Sequence, residues 1–207
     1  MERKLMEDQA TGIIMAGGKS TRMGKNKALL KIGGQTVIER IANELRKAVS
    51  ELILVTNTPE DYQFLGLPMI EDQWKGMGPL AGIHAGLEAS KTEKNLVVAC
   101  DMPFVSSEIG GYLLQFLDHY QGAVPMISGQ LHPLFAAYRK DALPEISKAL
   151  EKQELKIRLF FDRIQLKYVT EEDLKKLGLP LENHFFNMND PKEFSLAVKM
   201  ALRNQHD

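Results

Sequence analysis

Three features of this 207-residue chain predict an α/β fold with a mainly parallel sheet. Short apolar runs without alternation recur along its first half. Each is followed by a glycine, a polar residue or an acid, and helical patterns lie between them. Runs without alternation suit strands covered on both faces, and strands alternating with helices imply parallel pairing through right-handed crossovers.

The strands expected on this basis are Gly12–Ala16, Glu51–Thr56 and Asn95–Cys100, with one more, third in chain order, ending at Met69-Ile70-Glu71-Asp72. Thr36 to Val49 places Val37, Ile38, Ile41, Ala42, Leu45 and Val49 at helical spacing behind a cap at Gln35 or Thr36. Pro79–Ala89 and Ser106–Tyr120 read as helices too, the second with Ser106 as cap and Glu108 in the first turn. Beyond residue 122 the pattern loosens. Gly122–Ser128 and Pro133–Arg139 are expected as strands, and Asp141–Gln153, Leu155–Ile164, Glu171–Leu177 and Pro191–Arg203 as helices. Pro191 suits a first helical turn.

Composition narrows the functional classes. The chain is 44% hydrophobic and 26% charged, which supplies a core for one domain over residues 1–207, with frayed tails at 1–10 and 204–207. A net charge of −1 gives no global field toward nucleic acid or an anionic membrane. The lone Cys100 excludes an internal disulfide and a multi-thiolate zinc site, and suits a reducing, cytoplasmic setting. The apolar run Ile13–Ala16 is too short for a signal-peptide core, and no stretch approaches the roughly 18 apolar residues of a membrane helix.

The most informative segment is Met15-Ala16-Gly17-Gly18-Lys19-Ser20-Thr21-Arg22-Met23-Gly24-Lys25-Asn26-Lys27, directly after the first strand. No Asp or Glu occurs from Thr11 to Ile38, although the chain holds 27 acids, and Lys19, Arg22, Lys25, Lys27 and Lys31 all fall there. Glycines let backbone N–H groups converge on an anion, and the cations neutralise it. A solvated basic loop is the plain alternative; a polyphosphate site explains the pattern better. Gly18-Lys19-Ser20 mimics the end of a P-loop, but the first glycine of G-x-x-x-x-G-K-[ST] would fall at Ile13. That reading fails.

Asp101, in Cys100-Asp101-Met102-Pro103-Phe104, ends the most hydrophobic strand, where ligands of open α/β sheets bind. Taken alone it reads equally as a turn cap or a ligand for Mg²⁺, which prefers carboxylate and phosphate oxygens. Beside the basic loop the metal reading is favoured. Cys100 reads as a buried strand thiol with no histidine partner. Asn57 and Asp72 end two further strands and could meet a base or a ribose; singly, each reads as a turn residue. Gly76-Met77-Gly78-Pro79-Leu80-Ala81-Gly82 would line the rim or simply pack a helix closely on the sheet.

Together, Ala16-Gly17-Gly18-x-Ser20-x-Arg22-Met23-Gly24-x-x-Lys27, Gly78-Pro79-Leu80-Ala81-Gly82, Asp101-Met102-Pro103, His132-Pro133-Leu134 and Asn187-x-Asn189-x-Pro191 resemble the nucleotidyltransferases with a Rossmann-like fold. The molybdenum cofactor guanylyltransferases are the most similar branch. Met15 stands where that family usually has Leu. The resemblance implies a Rossmann-like three-layer sandwich of the nucleotide-diphospho-sugar transferase type. It implies that Met15, Ala16, Gly17, Gly18, Asn57 and Asp72 contact the nucleotide, and that Arg22 and Lys27 hold its triphosphate. Asp101 would bind Mg²⁺ and the nucleotide, and Asn187 and Asn189 the acceptor, with His132 structural or acceptor-adjacent. The implied reaction moves GMP from GTP to molybdopterin or Mo-molybdopterin and releases pyrophosphate, with other molybdenum cofactor biosynthesis proteins as partners. A cytidylyl- or sugar-phosphate nucleotidyltransferase, and a non-catalytic nucleotide-binding domain, are the alternatives. Gln153–Leu181 matches no motif.

Overall fold

The protein is described by a computed structural model over residues 9–17 and 26–203. The first half runs β1 (Ala10–Met15), a 3₁₀ turn (Lys27–Leu29), the hairpin β2 (Lys31–Ile32) and β3 (Gln35–Thr36), then α1 (Val37–Leu45) and β4 (Glu51–Val55). A 3₁₀ segment (Pro59–Leu65), β5 (Met69–Ile70), α2 (Pro79–Ala89), β6 (Lys94–Ala99) and α3 (Ser107–Gln115) follow. The second half holds β7 (Gly122–Ile127), β8 (Gln130–Leu131), β9 (Phe135–Arg139), α4 (Leu143–Glu151) and α5 (Ile157–Phe161). It closes with β10 (Leu166–Thr170), α6 (Glu171–Lys175), α7 (Leu181–His184) and α8 (Pro191–Arg203).

The main sheet has the order β10-β7-β9-β6-β1-β4-β5, with β8 paired to β7. β1 lies parallel to both β4 and β6, β4 to β5 and β10 to β7. Successive residues of the central strands enter opposite cores: Ile14, Leu54 and Val98 belong to the one shared with α1, α3 and α8, whereas Ile13, Val55 and Val97 belong to the one shared with α2, α4 and α5. Burial on both faces is why these runs show no alternation. α1 buries Val37, Ile38, Ile41, Ala42 and Leu45, each large aliphatic side chain stabilising by about 1.5–3 kcal/mol. Thr36 caps it, accepting from Glu39 N at 3.3 Å, while Glu39 accepts from Thr36 N at 2.8 Å, a reciprocal capping box.

The sheet is mainly parallel, as expected, with β9 antiparallel to both β6 and β7. Several element bounds are corrected. The strand expected from Pro133 starts at Phe135, whose N donates to His132 O at 3.1 Å in a turn, while Leu134 O still accepts from Ala99 N of β6 at 2.8 Å. The helix expected over Ser106–Tyr120 tightens to 3₁₀ geometry at Phe116–Asp118. The helix expected from Asp141 begins at Leu143, with Pro144 in the first turn, where its missing N–H costs nothing. β10 had no sequence signal: of its five residues only Val169 is buried. The β2–β3 hairpin did carry one, since Gly33 and Gly34 take φ of 60° and 87°, as a two-residue turn requires.

Candidate active site

Hydrogen bonding carries the sheet register beyond the strand ends. Ala16 N donates to Val55 O at 2.9 Å and Cys100 N donates to Met15 O at 3.0 Å. Gly17 and Asp101 are thereby set at the mouth of the sheet beyond β1 and β6. The chain passes from β1 to β4 and β5, then returns to the other side of β1 as β6. This is the strand-order reversal at which open α/β sheets bind ligands.

Asp101 is held by its neighbours. Met102, Pro103, Phe104 and Val105 are all buried, and Asp101 O accepts from Met188 N at 2.8 Å. Burial pushes the Asp101 carboxyl above its ordinary range, Lys27 pulls it back down, and Glu193 raises it further. Lys27 comes from the 3₁₀ turn behind the basic loop, where the Asn26 side chain accepts from Ala28 N at 3.2 Å. Asn26 Nδ2 in turn donates to the Tyr62 hydroxyl at 2.8 Å. Lys27 Nζ lies 3.4 Å from Asn189 Oδ1 as donor. Asp101, His132, Pro133, Asn187 and Asn189 line one cleft of about 190 Å³. The His132 ring sits 4.8 Å from Phe185, and its burial lowers the imidazole pKa. Cys100 is no nucleophile, since burial pushes its thiol to about 12.

The structure thus brings Lys27, Asp101, Asn187 and Asn189 together. Asn57 and Asp72 pair elsewhere, beyond β4 and β5. Asn57 Oδ1 accepts from Asp72 N at 3.1 Å, and Asp72 Oδ1 accepts from Trp74 N at 2.7 Å. Both side chains therefore shape a turn, as their plain sequence reading held. They stand two and three strands from Asp101, roughly 10–15 Å across the sheet. Met15 turns its side chain onto α2, its Cε lying where a Cβ at Gly82 would come within 2.6 Å. Ala16 is buried and Gly17 exposed. Gly18 and Arg22 fall outside the described residues. At the rim, Gly76 and Gly78 take φ of 82° and 72°, a conformation that favours glycine, and Gly78 precedes α2.

Sequence reasoning missed Tyr62, Asn26 and Glu193. Tyr62 lies in a 3₁₀ segment without periodicity, so nothing local marks it. Glu193 was legible, because Asp190-Pro191-Lys192-Glu193 is an N-cap, a first-turn proline and a returning acid.

A family model described as "MobA-like NTP transferase domain" matches residues 12–166. The chain belongs to the MobA-like NTP transferases. Like the other members, it is a nucleotidyltransferase. It is 41% identical to a "Probable molybdenum cofactor guanylyltransferase" of Pelotomaculum thermopropionicum, over 93% of this chain and 94% of that protein. A protein of the same description from Carboxydothermus hydrogenoformans is 39% identical over 92% and 95%. Among solved structures, the molybdopterin-guanine dinucleotide biosynthesis protein A of Archaeoglobus fulgidus superposes with a TM-score of 0.81 at 26% identity, covering 93% of this chain and 99% of its own. CMP:2-keto-3-deoxy-manno-octonic acid synthetase, with a TM-score of 0.74 at 15% identity over 95% and 99%, shares the fold. The fold of this MobA-like transferase is therefore the nucleotide-diphospho-sugar transferase type, as the motifs implied. No helix among the described residues is long and apolar enough to cross a membrane.

Proposed function

We propose that this nucleotidyltransferase moves GMP from GTP onto the terminal phosphate of molybdopterin, with or without its metal, and releases pyrophosphate. The observation that supports it most is the meeting of Lys27 and Asp101 at the switch point, beside the cleft lined by Asn187 and Asn189. The donor would lie across the strand ends, its base toward Asn57 and Asp72 and its phosphates over Gly17 and Lys27. The acceptor would enter the cleft from the His132 side.

An oxygen of the acceptor phosphate attacks the α-phosphorus, a new P–O bond forms, and the α–β bridging oxygen leaves with pyrophosphate. A phosphate monoester is already anionic near neutral pH, so no strong base is needed. Lys27 and Arg22 would neutralise charge growing on the leaving group, and the cleft would align the attack. Asp101 fits a Mg²⁺ ligand. It is a partly buried carboxylate, to which no side chain among the described residues donates a hydrogen bond, and no group of three His, Cys, Asp or Glu forms a resident cage there. One carboxylate with substrate phosphates completing the shell is the usual Mg²⁺ arrangement, and when bound the ion would screen the phosphate oxygens.

The test follows pyrophosphate release with Mg²⁺, GTP and molybdopterin, beside thermal shifts with GTP, CTP, UTP and ATP. GTP should give the largest shift. Asp101→Asn should lose turnover by more than about a hundredfold and keep its melting temperature, because burial already disfavours the charge. Full turnover in that variant removes Asp101 from the reaction. A larger shift with CTP or UTP transfers the protein to the cytidylyl or sugar-phosphate class.

A further inference from the structure

The start of α8 makes one hydrogen bond more than helix capping requires. Asp190 Oδ1 accepts from Lys192 N at 2.8 Å and from Glu193 N at 2.9 Å. Glu193 Oε2 reaches back to accept from Asp190 N at 3.1 Å, which completes a reciprocal capping box. The same Glu193 oxygen also accepts from Asn189 N, one residue outside the box.

That extra bond acts on a residue of the site. The Asn189 backbone is tied to α8 through Glu193, while its side-chain oxygen receives Lys27 Nζ at 3.4 Å. One residue earlier, Met188 N is bonded to Asp101 O at 2.8 Å, and the Met188 side chain is fully buried. Glu193, Asn189 and Lys27 form a chain of contacts whose other end, through Met188, is the backbone of Asp101. A lysine on a flexible four-carbon stem is a poor positioning element unless something holds its ammonium.

We propose that Glu193 is a positioning residue for nucleotidyl transfer: it fixes Asn189, and through it holds Lys27 in place relative to Asp101. This rests on the reaction proposed above. The negative charge of Glu193 opposes ionisation of Asp101, so what the side chain contributes is its geometry as a hydrogen-bond acceptor. An uncharged acceptor of the same shape should therefore serve.

The experiment compares the parent with Glu193→Ala, Glu193→Gln and Asp190→Ala. Asp190→Ala removes the other half of the capping box and leaves the Glu193–Asn189 bond, so it controls for a helix end that is merely weakened. Both alanine variants should lose melting temperature alike. Glu193→Ala alone should lose kcat by about tenfold to a hundredfold, with GTP affinity by calorimetry within about threefold of the parent. Glu193→Gln should restore kcat to within about threefold.

A second arm needs no substrate. Amine-reactive labelling of Lys27, read by peptide mass spectrometry, should be several-fold faster in Glu193→Ala and unchanged in Glu193→Gln and Asp190→Ala. Equal loss of kcat in the two alanine variants, or labelling of Lys27 that ignores Glu193→Ala, overturns the proposal. A parent that releases no pyrophosphate sinks the reaction proposed above, and the labelling arm still decides the role of Glu193.

Discussion

Lys27 concentrates the site's chemistry in one ammonium group, which donates to Asn189 and opposes the burial-driven rise of the Asp101 pKa. Its removal should cost the triphosphate one charge-assisted interaction. Lys27→Ala is expected to weaken GTP binding by about 2–3 kcal/mol, measured by calorimetry in Mg²⁺; unchanged affinity would place the phosphates elsewhere. His132 works in the opposite electrostatic sense. Burial depresses its pKa below the ordinary 6.5, so the folded protein holds its proton less tightly than the unfolded chain. The unfolded state then binds more protons between the two values, and stability falls as pH drops through the ordinary histidine range. Urea midpoints at pH 7.5 and 5.5 should show a smaller acid loss for His132→Gln than for the parent. The same loss in both proteins would assign the effect to other groups, such as the solvent-facing acids.

At the scale of elements, α2 shows how a glycine-rich helix packs on a sheet. It spans Pro79–Ala89 and buries Leu80 through Leu87 without a break, so no amphipathic stripe marks its inner face. Close approach depends on two glycines. A Cβ at Gly82 would lie 2.6 Å from Met15 Cε, the end of a flexible side chain, whereas one at Gly86 would lie 2.4 Å from Cγ2 of Ile13. The β-branched Ile13 belongs to the central strand and has little freedom to move. Alanine gains about 1 kcal/mol of helix propensity over glycine at either position. Gly82→Ala should therefore be near neutral, and Gly86→Ala should still destabilise by about 1–2 kcal/mol after that gain, by denaturant unfolding. Equal effects would mean that β1 yields as readily as a methionine end. The small residues of Gly78-Pro79-Leu80-Ala81-Gly82 thus have a packing cause that is independent of the rim they form.

Across the whole molecule, position in the sheet orders stability. β1, β6 and β9 are each paired on both sides and lie between the two cores, while β5 and β10 are the edges. Native-state hydrogen exchange should find the slowest amides in β1, β6 and β9 and faster ones in β10, where Tyr168 is 43% exposed. Protection in β10 equal to that in β1 would indicate that the second half unfolds only with the first.

Much of this architecture was legible in the order of residues. Apolar runs without alternation reported strands with two covered faces, the caps at Thr36 and Ser106 reported helix starts, and Lys27 within an acid-free stretch pointed, with Asp101, to the candidate site. Those signals are local, and local periodicity states which side of an element is buried. It cannot state which neighbour that side will meet. The antiparallel placement of β9, the weakly buried edge strand β10 and the turn formed by Asn57 with Asp72 were decided by packing among distant segments. So was the contact between Lys27 and Asn189, 162 residues apart, because only the folded sheet brings the end of β1 and the start of α8 to the same mouth.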